Sequence, residues 1–409
     1  MDKLEKYASA IIKVGVNLQK GQKLLINSSV DTAYFARMVM EEAYKAGAEK
    51  VHIMWNDDKS TRIDYLMAPD SNFGIEYTWL KELYSHLAEE NYNVVALASA
   101  NPEALNGVDT DRVTKNQKVG MQMRKPLSDN TMTSSVQWTI AALPSVDWAK
   151  KVFPTAKSDD EAVTLMWDAI YKAARIDDND PIENWNKHIA TLQSKAKVLN
   201  DNCFKYLHYK NAKGTDLTIE LSPGHLWLAC GGKAGNGNNF VANMPTEEVY
   251  TAPFKNGTNG IVYSTKPLVY MGDLIDEFWI KFENGRAVEY SAQKGQHLLE
   301  KLLTTEENAD YLGEVALVPH TSPISTSGIL WYNTLYDENA SCHIALGRAY
   351  PTTHKDTAGL SQEELVEKCG LNFSMTHNDF MIGSADLEII GEKSDGTKLQ
   401  VFKDGVFVI

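Results

Sequence analysis

Residues 23–55 read KLLINSSVDTAYFARMVMEEAYKAGAEKVHIMW and hold two short apolar runs separated by a segment with helical spacing. The runs at 23–27 and 51–55 have the length of buried strands, and the segment at 32–46 ends at Gly47, a residue that often terminates helices. Two strands joined by such a helix are typically parallel neighbours, with the helix crossing one face of their sheet. The sequence here therefore predicts a β–α–β unit.

The same alternation continues on both sides of this unit. An amphipathic helix precedes it, a helix at 79–91 and a strand at 93–98 follow it, and the apolar run 136–143 predicts one more strand. Helical patterns at 159–174 and 182–199 come next. We expect residues 1–195 to form an α/β domain with a mostly parallel sheet covered by helices.

The pattern changes after residue 200. Strand-like runs are separated by turns, and the pairs Asn284-Gly285, Asp395-Gly396 and Asp404-Gly405 are typical of β-hairpins. Hairpins connect antiparallel strands, so residues 196–409 are predicted to form an α+β domain whose strands are mostly antiparallel. Two domains also suit the length of the chain, because 409 residues exceed what one hydrophobic core usually holds.

Composition and charge argue against several classes of function. The net charge is −14, whereas nucleic-acid-binding proteins need clustered Lys and Arg, so we expect no nucleic-acid partner. No apolar run reaches the roughly 18 residues of a membrane-spanning helix. The charged residues at the start of the chain do not resemble a secretory signal. We therefore expect no membrane partner and a cytoplasmic location.

Nucleotide-binding motifs are not found either. The Gly-rich segment 231–237 has neither the Walker spacing nor a helical pattern after it. The turn after the first strand, at 27–31, lacks the Gly-x-Gly-x-x-Gly fingerprint of dinucleotide-binding folds. No organic cofactor is predicted, and the side chains best suited to chemistry lie in the second half of the chain.

A histidine and an aspartate stand two residues apart in the extended run 373–382, at His377 and Asp379. Side chains alternate along a strand, so both would point to one face, whereas Asn378 would point to the other. Imidazole and carboxylate groups that converge in this way are ligands of zinc and related ions. The His-x-Asp pattern alone is common, and a buried histidine paired with a carboxylate is its plainer explanation.

Three other segments of this half carry further candidate ligands. The pair Glu247-Glu248 precedes strand-like residues, Glu314 starts an apolar run, and His343 and Tyr350 lie on either side of a predicted turn or short helix. Each residue alone also fits a plainer role in packing or in an ion pair. Together with the His-x-Asp pair they supply three carboxylates and two imidazoles to one domain, which favours a metal site.

So many ligands exceed what a single tetrahedral zinc ion uses. A carboxylate-rich set suits two ions about 3.5–4 Å apart that share a carboxylate and a water molecule. Coordination lowers the pKa of that water toward ~7 and supplies hydroxide near neutral pH, which can attack a carbonyl group. Neighbouring strand residues face opposite ways, so only one member of the Glu247-Glu248 pair could reach the metals directly.

The order of four motifs resembles that of the thermophilic-type dinuclear metalloaminopeptidases, a family that includes aminopeptidases S and T. The motifs are MPTEEVY at 244–250, GEVALVP at 313–319, HIALGRAY at 343–350 and THNDFMIG at 376–383. The segment GVNLQKGQKL at 15–24 is similar to the family's beginning. The resemblance therefore covers essentially the whole chain.

The resemblance implies a metal-dependent aminopeptidase that hydrolyses the N-terminal residue from peptides through a dinuclear site and a metal-bridging hydroxide. The two divalent ions per subunit would be zinc or cobalt, with manganese or magnesium as alternatives. Their implied ligands in this sequence are Glu248, Glu314, His343, Tyr350, His377 and Asp379. The resemblance also implies a homodimer and short peptide substrates with a free N-terminus, and the first domain would cover the active-site cleft.

Two catalytic roles are expected beside these ligands. Glu247 is the candidate general base that takes a proton from water and passes it to the leaving amine, with a supporting carboxylate or an ion-pair partner as the alternative. Tyr350 has two alternative roles: the resemblance implies that it is a metal ligand, but a neutral phenol is a poor ligand, and the side chain would otherwise hydrogen-bond the bridging water or the oxyanion.

Two other functions fit the same residues. Another dinuclear metallohydrolase, such as a dipeptidase or an amidase, would use the same ligands with a different pocket. A non-catalytic α/β ligand-binding protein with a structural metal is an alternative from a different class.

Overall fold

The computed structural model of the chain describes residues 1–99, 101, 104–271, 273–357 and 359–409. The α-helices in chain order are α1 (Lys3–Ala10), α2 (Ala33–Lys45), α3 (Asp58–Met67), α4 (Thr78–Glu89), α5 (Thr110–Met132), α6 (Val146–Val152), α7 (Asp159–Ala173), α8 (Pro181–Asn202), α9 (Gln296–Thr304), α10 (Pro323–Ser327), α11 (Thr334–Asp337) and α12 (Gln362–Cys369). Within the described ranges, no helix combines the length and the apolar character that crossing a membrane requires.

The β-strands in chain order are β1 (Lys23–Ser29), β2 (Lys50–Asn56), β3 (Asn93–Ala98), β4 (Trp138–Ala142), β5 (Tyr206–Lys210), β6 (Asp216–Leu221), β7 (Leu228–Ala229), β8 (Gly232–Lys233), β9 (Asn239–Phe240), β10 (Asn243–Met244), β11 (Val249–Thr251), β12 (Pro253–Tyr263), β13 (Leu268–Tyr270), β14 (Asp273–Glu283), β15 (Arg286–Lys294), β16 (Leu312–Leu317), β17 (His343–Gly347), β18 (His377–Met381), β19 (Glu388–Glu392), β20 (Lys398–Lys403) and β21 (Val406–Phe407). The chain divides into two compact units, one of residues 1–187 with 231–245 and the other of residues 188–230 with 246–409.

The first unit is built on a parallel sheet with the strand order β10-β4-β3-β1-β2. Strands β1 to β4 match the predicted strands to within two residues at each end, which confirms an α/β region with a parallel sheet. Leu24, Leu25 and Ile26 of β1 are fully buried. Continuous burial of this kind is expected of a parallel strand whose two faces are both covered.

The edge strand β10 comes from a segment that no sequence pattern marked as a strand. Asn243 and Met244 pair in parallel with Ile140 and Ala141 of β4. Gly15 makes room for this segment, because a Cβ atom at that position would lie 2.7 Å from the Met244 Sδ atom. Two residues are too short for any periodicity, so this strand could not be predicted from alternation.

The predicted boundary after residue 195 lies inside α8, and the two compact units divide the chain elsewhere. Residues 188–195 belong to the second unit, and residues 231–245 belong to the first. Backbone hydrogen bonds explain the second assignment: the Val241 N–H donates to the Gly15 carbonyl, and the Ile140 N–H donates to the Ala242 carbonyl, both at 2.8 Å.

The second unit contains antiparallel sheets, as predicted. The larger has the strand order β13-β14-β12-β6-β5-β19-β20-β21, with β15 paired to β14. Three hairpin turns fall at the predicted sites, because residues 284–285, 395–396 and 404–405 separate the paired strands β14 and β15, β19 and β20, and β20 and β21. Asn284 and Gly285 have positive φ angles of 49° and 84°, as the tight turn of an Asn-Gly hairpin requires.

The second sheet of this unit, with the order β18-β17-β16-β11-β7, separates apolar from polar side chains. Its apolar face supplies part of the main hydrophobic cluster of the unit, including Val249, Val315, Leu317, Ile344 and Phe380. In the antiparallel register Ala345 pairs with both Glu314 and Asp379. Paired residues share a face, so the same alternation that buries the apolar side chains gathers these acids on the other face.

Gly347 ends β17 in a conformation that favours glycine. Its φ angle is +101°, and a Cβ atom there would lie 2.2 Å from the Thr376 carbonyl oxygen. We expect Gly347→Ala to lower the free energy of unfolding by at least about 2 kcal/mol, because backbone strain and steric overlap act together. Urea denaturation followed by circular dichroism measures this change.

Gly396→Ala is the matched control for that experiment. Gly396 has a similar φ of +84°, but among the described residues no heavy atom lies within 4 Å of the added Cβ. The free energy of unfolding of this variant should fall by only about 1 kcal/mol, since only backbone strain applies. Equal losses in the two variants would show that the close approach of β17 to residue 376 imposes no constraint.

Candidate metal centre

Three neighbouring strands bring four of the predicted ligands to one face of a sheet. Glu314 lies in β16, His343 begins β17, and His377 and Asp379 lie in β18. Ala345 pairs with both Glu314 and Asp379. His343 lies two residues from Ala345, and His377 lies two residues from Asp379. Alternation therefore places all four side chains on the same face. The predicted strand geometry of His377-x-Asp379 is what the structure shows.

Glu248 reaches the same face from the residue just before β11. Tyr250, two residues later, pairs with Ala316 of β16, and Ala316 pairs with His343. Alternation therefore predicts that Glu248 points toward His343. The Glu248 Oε2 atom lies 3.2 Å from the His343 Nε2 atom.

Glu314 is shared by two groups of ligand atoms. One group consists of Glu248, Glu314 and His343, and the other of Glu314, His377 and Asp379, with the ligand atoms of each group within 4.8 Å of one another. The Glu314 Oε1 atom lies 3.9 Å from His343 Nε2, and its Oε2 atom lies 3.5 Å from His377 Nε2. Asp379 Oδ1 lies 3.4 Å from the same His377 nitrogen. One carboxylate thus faces one histidine with each of its oxygens.

Backbone carbonyl groups orient both histidines. The Nδ1 atom of His343 lies 3.1 Å from the Ser341 carbonyl oxygen, and that of His377 lies 2.7 Å from the Arg348 carbonyl oxygen. A carbonyl oxygen can only accept, so each Nδ1 carries the proton and donates it. The Nε2 atom of each ring is then directed at the carboxylates, where a neutral ring would offer its lone pair to a metal ion.

Burial and repulsion from neighbouring acids dominate the electrostatics of Glu314. Glu314 is 5% exposed. Burial raises its pKa well above the usual range, and the Asp379 and Glu248 carboxylates raise it further. Burial lowers the pKa of His343, but the Glu248 carboxylate beside it more than offsets this and leaves that pKa raised. A divalent cation would offset both the desolvation of these acids and their repulsion.

The donors fit a divalent metal ion. The Asp379 side chain is 9% exposed, and its Oδ1 atom is buried without a hydrogen bond from any described residue. A buried carboxylate oxygen without a hydrogen bond calls for another partner, such as a cation. Carboxylate oxygens and imidazole nitrogens are also the donor types that zinc and neighbouring transition metals accept.

Tyr350 follows β17 rather than the predicted turn or short helix. Residues 343–347 are a fully buried strand paired on both sides, and the strand ends at Gly347. The sequence predicted a turn here because glycine is common in turns, whereas this glycine terminates a strand. The Tyr350 ring centroid lies 4.8 Å from that of His377. Burial raises the pKa of the phenol, and the Glu314 carboxylate raises it further. The side chain therefore stands beside the cluster as a protonated hydroxyl.

Glu247 is buried and directly precedes Glu248 in the sequence. Two hydrogen bonds hold the backbone around it. His188 Nε2 donates to the Thr246 carbonyl at 2.8 Å, and the Glu247 N–H donates to Asn339 Oδ1 at 2.7 Å. The Glu247 Oε2 atom lies 3.9 Å from His188 Nε2. Side chains from α8 and from the turn Glu338–Ala340 thus fix the peptide that immediately precedes Glu248.

Glu338 is a further carboxylate that no sequence motif singled out. It begins a 3-10 turn. Burial raises its pKa well above the usual range, and the neighbouring charges of Asp379, Glu248 and Asp337 raise it further. Its signal in the sequence is weak: an acidic pair, Asp337-Glu338, in a stretch without helical or strand periodicity. Only the folded chain brings this residue next to the other acids.

Comparison with known proteins gives consistent matches along the whole chain. The model of the family described as thermophilic metalloprotease (M29) matches residues 1–407. Aminopeptidase AmpS of Bacillus subtilis is 43% identical over 403 residues, covering 98% of each chain. Aminopeptidase PepS of Streptococcus thermophilus is 40% identical over 408 residues, covering 100% of this chain and 98% of that protein. The solved structure of AmpT from Thermus thermophilus aligns with a TM-score of 0.92 at 36% identity, covering 100% of this chain and 99% of that one.

The fold, the cluster of acids and imidazoles, and these matches together define a metalloaminopeptidase. The chain belongs to the thermophilic metalloprotease (M29) family. The predicted family resemblance is confirmed, and membership implies divalent metal ions and peptide substrates.

Alternation within β18 leads to a direct test of the metal centre. We expect Asp379→Ala to weaken binding of zinc or cobalt by at least about tenfold, because it removes a buried donor. Asn378→Ala should bind the metal as the parent protein does, since Asn378 pairs with Leu346 of the apolar face. Isothermal titration of the metal-stripped proteins compares the two variants. Similar losses in both would show that the strand does not present its side chains as described.

Proposed function

We propose that the chain removes the N-terminal residue of peptides at a centre of two divalent ions. The observation that carries this proposal is the position of Glu314, which belongs to two adjacent groups of ligand atoms and directs one oxygen toward each histidine. A carboxylate shared in this way is typical of hydrolases with two metal ions. The relatives AmpS and PepS are both named as aminopeptidases.

Each ion would have its own set of residues. Glu248, Glu314 and His343 would hold one ion, and Glu314, His377 and Asp379 would hold the other. Glu338 is near enough to influence both Asp379 and Glu248, so we add it as a further carboxylate of the centre. Zinc and cobalt suit this mixture of imidazole and carboxylate donors, and manganese and magnesium are the alternatives. When bound, such ions polarise a carbonyl group and acidify a bridging water to hydroxide.

Tyr350 would act as a hydrogen-bond donor beside the centre. A phenol has an ordinary pKa near 10, so its hydroxyl carries a proton at neutral pH and donates it to an oxygen. Its ring lies 4.8 Å from the His377 ring between centroids, which supports a role for the hydroxyl at the same centre. Donors fixed in advance toward a developing oxyanion stabilise the transition state of acyl transfer. This role in oxyanion stabilisation is favoured here over direct metal ligation by Tyr350.

Glu247 would serve as the general base. It would take a proton from the attacking water and return it to the amine as the peptide bond breaks. Its support is its burial, 2% exposed, and the fixed backbone that it shares with Glu248. Substrates would be short peptides with a free N-terminus. The homodimer and the cytoplasmic location stay predictions.

Release of amino acids from peptides tests the proposed function. We expect the protein with added zinc or cobalt to cleave aminoacyl p-nitroanilides, and to lose that activity in a chelator. Acetylation of the substrate amine should abolish cleavage, because an aminopeptidase requires a free N-terminus. Equal cleavage of free and acetylated substrates would instead favour an amidase. Cleavage confined to dipeptides in a panel of longer peptides would favour a dipeptidase, and no cleavage with any metal would overturn the proposal.

The role of Glu247 has its own test. We expect Glu247→Gln to lower kcat by about 10²–10⁴ while the bound metal stays at the parent level, because the amide keeps the size of the side chain but cannot accept the proton. Stopped assays of kcat and metal analysis of the same preparation provide the measurement. Glu283→Gln is the control, since Glu283 is an exposed strand residue. A kcat within a few-fold of the parent value would assign general-base catalysis to another group.

A further inference from the structure

A small cleft borders the metal centre within the second unit. Asp379 and Glu338 belong to its lining, and its volume is about 80 Å³. Its other lining residues are 267–269 at β13, which form its first wall, 332–334 and 337 around α11, which form its second wall, and Met381 of β18. Carboxylates of the proposed centre and apolar side chains thus line the same cleft.

Both walls of the cleft are tied down by hydrogen bonds. The Thr265 N–H donates to the Met381 carbonyl at 2.8 Å, which fixes the start of the first wall to β18. Asp337 holds the second wall, because its two carboxylate oxygens accept the N–H groups of Trp331 at 2.8 Å and Asn333 at 2.9 Å. The cleft is thus formed by ordered backbone rather than by mobile side chains alone.

The chemistry of the lining favours an aliphatic occupant. Pro267, Leu268, Val269 and Met381 supply apolar surface, and the polar lining residues outside the proposed centre are Tyr332, Asn333, Thr334 and Asp337. Asp337 is the one acid among these lining residues that is not assigned to the metal centre, and its oxygens already accept backbone N–H groups. No lysine or arginine lines the cleft among the residues that the structure describes there. With Asp379 and Glu338 assigned to the metals and Asp337 bonded to the backbone, a cationic side chain would find no free counter-ion among these lining residues, whereas a hydrocarbon chain would gain from leaving water.

The size of the cleft limits that occupant. An engineered cavity of about 150 Å³ in a protein core accommodates benzene. A volume of about 80 Å³ is roughly half of that, which suits an aliphatic chain better than an aromatic ring. Val269 is 36% exposed at the rim, so the size of its side chain controls how much of the cleft is open.

We propose that this cleft holds the side chain of the N-terminal residue that is removed, that it selects aliphatic side chains, and that Val269 sets its capacity. The inference rests on the proposed aminopeptidase function. In that reaction the side chain is attached to the α-carbon, which is bonded directly to the carbonyl carbon that is attacked. The pocket for the side chain must therefore adjoin the metal ligands. The cleft meets this condition through Asp379 and Glu338.

Substrate panels of the metal-loaded enzyme test the proposal. We measure kcat/KM for the p-nitroanilides of Ala, Leu, Phe and Arg with the parent protein and with Val269→Trp, Val269→Ala and Val408→Trp. In the parent, Leu should exceed Ala, Phe and Arg, and its advantage over Ala should be at least about tenfold because apolar pockets discriminate by the methylene groups they bury. Val408 is 51% exposed and does not line the cleft, so Val408→Trp controls for an added surface indole.

The variants should move selectivity in opposite directions. Val269→Trp should lower the Leu/Ala ratio at least about tenfold with Ala turnover little changed, and Val269→Ala should raise the Phe/Leu ratio several-fold. Ratios unchanged in both variants, or a parent preference for Arg, would overturn the cleft assignment while leaving the aminopeptidase function intact. No release from any substrate would overturn the proposed function, and this inference with it.

Discussion

The carboxylate of Glu314 is buried in the middle of an antiparallel sheet, and the chemistry of the centre follows from the electrostatic cost of that burial. A buried acid without compensation costs several kcal/mol. Here the nearest polar groups include two more acids, which raise its pKa rather than lower it. Each imidazole directs its Nε2 atom toward this group of acids, and backbone carbonyls hold the rings in that orientation. Burial and the neighbouring acids still raise the pKa of Glu314 well above its usual range, and a divalent cation would offset both effects.

The sheet makes this arrangement from ordinary strand geometry. The apolar face of β11, β16, β17 and β18 packs into the main core of its unit, so the register cannot slip without exposing that face. The acids and histidines are fixed by the same register. Hydrophobic burial on one side of the strands thus supplies the positional accuracy that catalysis needs on the other.

Much of the fold and of the candidate site could be predicted from the sequence, because the sequence signals for them are local. Strand β3 was predicted at its observed bounds, and His377 and Asp379 share a strand face as their spacing indicated. Long-range placements had no such signal. Strand β10 has two residues, Glu338 approaches Asp379 only through the fold, and Gly347 suggested a turn where a buried strand ends. The shared position of Glu314 likewise depends on three strands that meet in space, and no single motif encodes it.

Strand β10 also constrains how the protein is made. Its residues, 243 and 244, complete the parallel sheet of the first unit after the chain has already passed through β5, β6 and β7 of the second. During synthesis the first unit therefore lacks an edge strand until about 245 residues have left the ribosome, and β4 has an unpaired edge until then. The two units cannot mature strictly one after the other, and a fragment cut after residue 187 would keep that open edge permanently.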